Sequence, residues 1–336
     1  MSAKWYLGTG AQNDVVISTS IHIARNITQY PFPGTLSLQD KLKVNSIVKD
    51  AASTVTDYKF NFYEMKMLSQ SELVSLAERH LVSPEFASSR DGRALLLTED
   101  EAVSIMLNEE DHIRLQVMYA GFALDEAYRT ADKIDNALNT KLDFAFDDKL
   151  GYLSQDPGSL GTGMKASVVL HLPGLVTTSQ ITRLITTVSK LGLSLRGSYG
   201  EGAAAKGDLF RLSNTITLGI SEKAAIENLK SIALQIAAQE RVAREEIFKA
   251  PVTEDRIYRA YGVLKYARLI DTAEFMELIS LVRLGAVRGI INMDCSKIEA
   301  MMIHMQPATI SLSVDRPLDR IERDKLRAQL VRHNLD

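Results

Sequence analysis

Three short apolar segments separated by polar turns constrain the fold of this chain more than any other feature of its sequence. They span residues 94–97, 102–107 and 113–119. Each segment has the length of a β-strand and is too short for a stable helix. Because only a few residues connect one segment to the next, the segments predict an antiparallel meander.

The second turn of this meander carries a high density of charge. Residues 108–114 read NEEDHIR, so three carboxylates, a histidine and an arginine stand together. A carboxylate such as Glu110, fixed at a sheet edge, can orient a cationic nucleophile and accept its proton. Arg114 can bind a phosphate through its permanently charged, forked guanidinium. The segment indicates phosphoryl transfer to a basic acceptor, although a solvated acidic turn explains it equally well. His112 is either an orienting or a structural side chain.

The remaining pattern predicts an α+β fold, an antiparallel sheet flanked by helices, followed by an all-α domain. Further strands are expected near residues 15–17, 58–62, 166–172 and 208–218, and helices at 38–51, 69–79, 125–138, 178–191 and 221–249. After Pro251 the apolar spacing is helical, at 254–266, 272–284, 295–305 and 318–331. We therefore predict a catalytic domain at residues 1–250 and a helical domain at 251–336.

Composition excludes several classes of protein. A formal net charge of -3 gives no general attraction to nucleic acid or to anionic membranes. No apolar run approaches the ~18 residues of a membrane-spanning helix, and residues 1–19 lack the pattern of a secretory signal. The single cysteine, Cys295, excludes an internal disulfide framework and fits the reducing cytoplasm. His304 and His333 have no partners at metal-ligand spacing, so no structural metal is expected.

Two glycine-rich segments, at residues 155–163 and 196–207, lie on either side of the strand predicted at 166–172. Glycine lets backbone N–H groups approach an anion closely, so two such loops on one sheet indicate phosphate binding. Each loop taken singly is more typical of a tight turn. Neither loop matches the phosphate-binding patterns of P-loop or dinucleotide-binding folds.

In this order and spacing, four segments resemble the ATP:guanidino phosphotransferases. The segments are residues 18–26 (STSIHIARN), 108–114 (NEEDHIR), 160–166 (LGTGMKA) and 196–201 (RGSYGE). The resemblance covers essentially the whole chain and is closest to the bacterial protein-arginine kinases. It implies the guanidino kinase catalytic fold, ATP with Mg²⁺ as the phosphoryl donor, and arginine side chains of proteins as acceptors.

The resemblance also implies roles for individual residues. Glu110 matches the carboxylate that acts as the base toward the acceptor guanidinium, and Glu201 matches a second carboxylate that clamps it. A guanidinium needs such help because its pKa exceeds ~12. Arg114 and Arg196 match arginines that hold the ATP phosphates. The implied ATP-binding residues are Ser18, Thr19, Ser20, Ile21, His22, His80, Arg114, Lys165, Ala166, Ser167, Val168, Val169, Arg196, Gly197, Ser198, Tyr199, Gly200 and Glu201.

Four positions depart from the pattern of that family. Ser20, His22 and Lys165 stand where the family has phosphate-binding arginines, and Asp156 stands where it has a reactive cysteine. One well-placed donor at a transferring phosphoryl group is worth about 2.7–4 kcal/mol. The departures therefore predict weakened catalysis, while the acceptor-side carboxylates are retained.

The last predicted helix contains Arg323, Asp324, Arg327 and Ala328 in the pattern Arg-Asp-x-x-Arg-Ala. By pattern alone these residues are typical of a solvated helix face. The bacterial protein-arginine kinases carry this motif as an allosteric pocket for phosphoarginine. The resemblance therefore implies that the arginines hold the phosphoryl group and that Asp324 holds the guanidinium.

Two functions remain open from the sequence. The first is a cytoplasmic, homodimeric protein-arginine kinase of the stress response, which marks proteins for Clp-type degradation. The resemblance implies a zinc-binding activator protein, a stress-gene repressor and a Clp ATPase as partners, with no nucleic acid and no membrane. The second is a catalytically impaired relative that binds arginine or phosphoarginine as an adaptor or regulator. The replaced arginines at Ser20, His22 and Lys165 motivate the second.

Overall fold

The computed structural model describes residues 4–198, 205–314, 316 and 318–335. Its strands are β1 (Val16–Arg25), β2 (Phe60–Glu64), β3 (Ala94–Thr98), β4 (Val103–Leu107), β5 (Ile113–Ala120), β6 (Phe146–Asp147), β7 (Gly151–Tyr152), β8 (Met164–His171), β9 (Leu193–Gly197) and β10 (Leu209–Asn214). Its helices are α1 (Leu38–Ala52), α2 (Gln70–Glu78), α3 (Pro84–Ser88), α4 (Leu124–Asn139), α5 (Pro173–Thr177), α6 (Ile181–Ser189), α7 (Glu222–Ile247), α8 (Pro251–Tyr266), α9 (Thr272–Val287), α10 (Cys295–His304), α11 (Pro307–Ser311) and α12 (Arg320–Leu335).

Eight of the strands form one antiparallel sheet in the order β2-β3-β4-β5-β1-β8-β10-β9, while β6 and β7 pair separately. The predicted meander is confirmed as β3, β4 and β5. The central strand β1 is much longer than the sequence indicated at residues 15–17, because its polar residues alternate with apolar ones. This alternation gives β1 one face in the core and one face that carries functional groups.

The apolar face of the sheet packs against α1, α4 and α7. Ile21 and Ile23 of β1 and Val168 of β8 are buried there, together with Leu229 of α7. Burying each such side chain stabilises the fold by about 1.5–3 kcal/mol. The helix starts follow the sequence: the hydroxyl of Ser37 accepts a hydrogen bond from the N–H of Asp40 at the start of α1.

Helices α8–α12 form a second core that also includes Val169 and Leu209 of the sheet. The predicted division at residue 250 falls between α7 and α8, and it remains a prediction. Because this second core shares residues with the sheet, the C-terminal helices cover part of the face that is opposite α4 and α7. They therefore form one wall above the polar side of the sheet.

Several predicted boundaries were wrong. The helix expected at 178–191 is shorter, α6 at Ile181–Ser189, and a separate short helix, α5, precedes it; Ser179 between the two has a φ of 60°. Arg196 was expected in a loop but lies in β9, opposite Arg211 of β10. The strand expected at 208–218 ends at Asn214, whose side-chain oxygen accepts a hydrogen bond from the N–H of Ala166. Among the described residues, no helix is long and apolar enough to cross a membrane.

Candidate active site

The polar face of the sheet carries the predicted nucleotide-binding residues. His22 of β1 lies opposite Gln116 of β5 and Lys165 of β8, and Ser20 lies opposite Ser167 of β8. Directly opposite residues of antiparallel strands share a face, so these side chains line one surface. Above it lies a groove of about 500 Å³, lined by His22, Val74, Ala77, Glu78, His80, Val82, Ser83, Pro84, Met106, Arg114, Gln116, Met118, Ser198, Arg211 and Gln306.

The residues of β1 and β8 that the sequence predicted at the nucleotide fall into two sets, because successive side chains of a strand point to opposite faces of the sheet. Thr19 and Ile21 of β1 and Ala166 and Val168 of β8 are buried, and their side chains point away from the groove to the other face of the sheet. The side chains of Ser18, Ser20, His22, Lys165, Ser167 and Val169 alternate with them on the groove side. Within this second set His22 lines the groove, whereas Ser18, Ser20, Ser167 and Val169 are each 8% exposed or less.

Arg114 is fixed at the floor of the groove by an ion pair that the sequence analysis did not identify. Its Nη1 lies 2.5 Å from Oε2 of Glu109, whose other carboxylate oxygen accepts a hydrogen bond from the hydroxyl of Ser83. Glu109 is 8% exposed. A carboxylate held from both sides restricts the guanidinium to one position, so Glu109 positions Arg114. The sequence feature that could have predicted this ion pair is the five-residue spacing from Glu109 to Arg114 across a tight turn.

Asp111 and His112 of the acidic turn have structural roles. Asp111 is buried and accepts hydrogen bonds from the Asn26 side chain, the Ser154 hydroxyl and the Gln155 N–H, which attaches the loop after β7 to the end of β1. The Nδ1 of His112 accepts a hydrogen bond from the N–H of Ile27, and its Nε2 lies 3.0 Å from the carbonyl oxygen of Pro31. Burial lowers the pKa of His112. Of the two interpretations of His112, the structural one is therefore correct.

Glu110 differs from its neighbours because its side chain is exposed. It lines a smaller cavity of about 60 Å³ together with His22, Arg114, Asp156 and Lys165. Partial burial, followed by the negative charge of Glu109, raises the pKa of Glu110, while Arg114 opposes the shift. A carboxylate with a raised pKa is a stronger base than an ordinary glutamate. His22 and Arg114 line both cavities, so the groove and the Glu110 cavity meet at these two side chains.

Asp156, at the predicted position of the family cysteine, lies in the Glu110 cavity. Its carboxylate accepts hydrogen bonds from the N–H of Gly158 and the hydroxyl of Ser159, each at 3.0 Å. Asp156 therefore caps the turn at residues 157–159 while it adds negative charge near Glu110. This second effect is one of the causes that raise the pKa of Glu110.

The first glycine-rich loop is a packed turn and not an open cradle. Gly161 has a φ of +94°, and a Cβ there would collide with the carbonyl oxygen of Thr217. Gly163 has a φ of +62°, and a Cβ there would lie 2.7 Å from the carbonyl oxygen of Ala24. Both positions require glycine because they combine positive φ with close backbone contact. The loop thus brings Asp156 and Lys165 to the Glu110 cavity.

Two buried polar atoms of groove residues have no partner within the described part of the chain: Nδ1 of His22 and Oγ of Ser198. Burial, then the charges of Arg114, Arg211 and Lys165, lowers the pKa of His22 well below its usual value. Burial, followed by the charge of Arg211, lowers the pKa of His80 to about 3. An uncharged imidazole and a hydroxyl between arginines fit a ligand that supplies several negatively charged oxygens.

Arg211 is the groove residue that the sequence analysis missed. It lies directly opposite Arg196 in the β9–β10 pair and lines the groove with Ser198. The signal was available, because Phe210 and Leu212 are apolar and Arg211 alternates with them as on a half-buried strand. Tyr199, Gly200 and Glu201, by contrast, lie outside the described residues, so their predicted roles stay predictions.

The C-terminal motif lies on α12, remote in sequence from the groove. Arg327 is 1% exposed and donates hydrogen bonds to the carbonyl oxygens of Met305 and Ile270 and to the carboxylate of Asp324. Ala328 is buried in the second core. Arg323 and Asp324 are partly exposed. A solvated helix face is therefore wrong for Arg327 and Ala328, which hold the helix in place, whereas Arg323 and Asp324 can reach a ligand.

Comparisons with known proteins agree with this geometry. The description "ATP:guanido phosphotransferase, C-terminal catalytic domain" matches residues 43–243, and "Protein-arginine kinase McsB C-terminal domain" matches residues 251–336. The chain is 42% identical to the protein-arginine kinase of Caldanaerobacter subterraneus over 96% of this chain and 97% of that protein. It is 41% identical to the protein-arginine kinase of Halothermothrix orenii over 99% of this chain and 97% of that protein.

Two solved structures share the fold. The duplicated taurocyamine kinase of Schistosoma mansoni superposes with a TM-score of 0.62 at 24% identity. The superposed region covers 71% of this chain and 34% of the taurocyamine kinase chain. A lombricine kinase superposes with a TM-score of 0.60 at 22% identity over 71% of each chain. Both superpositions are consistent with a shared fold.

The antiparallel sheet, with a groove of arginines that meets a carboxylate cavity, defines a guanidino phosphotransferase. Within that class, the chain belongs to the protein-arginine kinase family. The predicted family, fold class and enzyme class are confirmed.

Proposed function

We propose that this protein transfers the γ-phosphoryl group of Mg-ATP to arginine side chains of other proteins. The observation that carries the proposal is the junction of two cavities at His22 and Arg114. The groove accommodates the polyphosphate, and the smaller cavity presents Glu110 to a cationic acceptor. Phosphoryl transfer requires the nucleophile, the phosphorus atom and the leaving oxygen to lie in line. Two sites that share one wall at a phosphate-binding arginine provide such an arrangement.

In the proposed reaction, Glu110 orients the acceptor guanidinium and takes its proton. A nitrogen–phosphorus bond forms between a guanidino nitrogen and the γ-phosphorus, the bond from phosphorus to the β–γ bridging oxygen breaks, and ADP leaves with the electron pair. Glu201 would hold the other side of the guanidinium. Arg114, positioned by Glu109, and Arg196 would stabilise the negative charge that develops on the transferred group.

Magnesium is part of the proposed donor substrate. The described residues contain no group of three or more His, Cys, Asp or Glu side chains that could hold a metal ion. The ion would therefore arrive bound to the phosphates, where it neutralises their charge. The residues present fit such a complex, because Arg114, His22 and Ser198 offer a cation and two buried polar atoms to phosphate oxygens.

The wider role is proposed from the family. We infer arginine residues of proteins as substrates, a cytoplasmic location, and a zinc-binding activator, a stress-gene repressor and a Clp ATPase as partners in the stress response. A homodimer formed through the helical part is supported by exposed apolar side chains on or beside α8, including Tyr258, Tyr266 and Leu269. We further propose that phosphoarginine binds at Arg323 and Asp324 as an allosteric ligand.

An assay for acid-labile phosphoarginine on an arginine-rich protein tests the proposed reaction. We expect Mg-ATP-dependent phosphoarginine with the wild-type protein, and a loss of about 100-fold or more with Glu110→Gln, which keeps the size of the side chain but cannot accept the proton. Glu126→Gln, at an exposed position on α4 on the other face of the sheet, is the matched control and should retain full activity. Phosphoarginine formation that is equal in Glu110→Gln and wild type would contradict the role of Glu110. A wild-type protein without turnover would favour the catalytically impaired adaptor.

A further inference from the structure

The positive charge of the groove comes from two strands on opposite sides of β1. Among the described residues that line the groove, the charged side chains are Glu78, Arg114 and Arg211. The Glu78 carboxylate accepts hydrogen bonds from the N–H groups of Ala308 and Thr309 and is thereby engaged by the start of α11. Arg114 on β5 and Arg211 on β10 are the cations that line the groove in the described part of the chain.

We propose that Arg211 binds the phosphates of the nucleotide and replaces, from β10, the charge that is missing on β1 at Ser20 and His22. The inference rests on the proposed function, because it assigns a new contact to the proposed donor substrate. It names a residue that neither the four sequence segments nor the glycine-rich loops contain. Three features of Arg211 support the proposal: the reach of its side chain, the charge it places in the groove, and its neighbour Arg196.

The side chain of Arg211 extends along the sheet toward β1. Its Nη1 lies 3.4 Å from the hydroxyl oxygen of Ser167 on β8, and that oxygen lies 2.7 Å from the hydroxyl oxygen of Ser20 on β1. Neighbouring strands are about 4.8 Å apart, so an arginine on β10 crosses one strand spacing to reach β8. The guanidinium of Arg211 is thus separated from Ser20 by a single hydroxyl group.

The charge of Arg211 acts across the groove. It contributes to the lowered pKa values of both His22 and His80, after burial, which places its field at two side chains of the groove wall. Arg114 acts on His22 from the side of β5. Ser20 and His22 therefore lie between two guanidinium groups, and the partnerless Nδ1 of His22 and Oγ of Ser198 lie in the same groove.

The position of Arg211 opposite Arg196 places a second guanidinium beside it. Directly opposite side chains on antiparallel strands have Cβ atoms roughly 4.5–5.5 Å apart. Arg211 and Arg196 are such a pair. A polyphosphate can bridge the two side chains, because each guanidinium can bind phosphate oxygens through two N–H groups. The acceptor cavity at Glu110 does not include Arg211, so the nucleotide is the ligand concerned.

Calorimetric titration with Mg-ATP tests the inference on the full-length protein. We expect Arg211→Gln to weaken ATP affinity by about 10- to 100-fold, the range for one charge-assisted hydrogen-bonding group, and Arg211→Lys to weaken it less because lysine retains the charge without the fork. Arg183→Gln, an exposed arginine on α6, is the matched control and should bind ATP as the wild type does. Arg211→Gln combined with Ser20→Arg should recover part of the lost affinity, which a purely structural role of Arg211 would not produce.

The outcomes separate this inference from the proposed function. If Arg211→Gln binds ATP within twofold of the wild type, the inference is wrong, while phosphoarginine formation by the wild type still supports the proposed reaction. If Arg211→Gln loses ATP affinity but the wild type forms no phosphoarginine, Arg211 is a nucleotide-binding residue in a protein without the proposed turnover. A wild-type protein that binds no ATP would overturn both. Arg211→Lys and the double variant extend the test should Arg211→Gln unfold.

Discussion

Replacing Glu109 by glutamine should disturb catalysis in two ways, by releasing Arg114 from its position and by changing the pKa of Glu110. In the wild type, Oε2 of Glu109 lies 2.5 Å from Nη1 of Arg114, and Glu109 is almost completely buried. Glutamine keeps the shape of the side chain and one acceptor oxygen but removes the charge. Arg114 is then free to leave the position in which it faces the junction of the two cavities.

The size of the effect follows from burial. Breaking a fully buried ion pair by removing one partner costs about 3–5 kcal/mol. Because the Arg114 side chain is 30% exposed, water replaces part of the lost interaction. We therefore expect Glu109→Gln to lower the free energy of unfolding by about 1–3 kcal/mol. A displacement of about 1 Å in a catalytic group can cost ~100-fold in rate, so we expect a fall in kcat of that order.

The pH dependence gives a signature that instability alone would not produce. The pKa of Glu110 is raised by partial burial, then by the charge of Glu109. As a base, Glu110 must be ionised, so the rate rises with pH as the pH passes through this pKa. Removing the charge of Glu109 lowers the pKa of Glu110, and the acid limb of the pH–rate profile should move to lower pH.

The assay is phosphoarginine formation as a function of pH, with denaturant unfolding measured in parallel. Glu245→Gln is the matched control, because Glu245 forms an exposed pair with Arg288 and should change stability by less than about 1 kcal/mol and the pH profile not at all. An acid limb that stays in place or moves to higher pH in Glu109→Gln would refute the coupling between Glu109 and Glu110. An unchanged kcat would refute the positioning role.

Two further predictions concern the replaced arginine position on β1 and the C-terminal motif. His22→Arg should tighten Mg-ATP binding by about tenfold in calorimetry, since it adds a permanent charge where the lowered pKa keeps the imidazole neutral; binding equal to the wild type would show that Arg114 and Arg211 already suffice. Arg327→Ala should destabilise the protein by about 3–5 kcal/mol in denaturant unfolding, because it removes two buried hydrogen bonds and a partly buried one to Asp324. Arg323→Ala, by contrast, should change stability by less than about 1 kcal/mol and abolish phosphoarginine binding. Equal stability losses in these two variants would contradict their different burial.

The meander, the capped helices and the acidic turn were predictable because each depends on residues close together in the chain. Apolar period and turn chemistry select strands and helices locally, and a hydroxyl at the start of a helix needs only the N–H groups of the next turn. The charged residues of the turn at 108–114 were therefore identified from the sequence, and the family pattern assigned the role of base to Glu110. The sequence did not predict that Glu110 is exposed while Glu109 and Asp111 are buried, because burial depends on what packs over the turn.

The sequence by itself determined the family, the elements and which residue types could handle phosphate and guanidinium. Only the tertiary structure decided which of these residues act together, since strands that are far apart in the chain become neighbours through hydrogen bonds across the sheet. It placed Arg211 of β10 one hydroxyl group away from Ser20 of β1, and it buried Arg327 of α12 against the backbone carbonyl groups of Ile270 and Met305. The proposed contribution of Arg211 depends on this proximity, which follows from the register of the sheet and not from the order of residues along the chain.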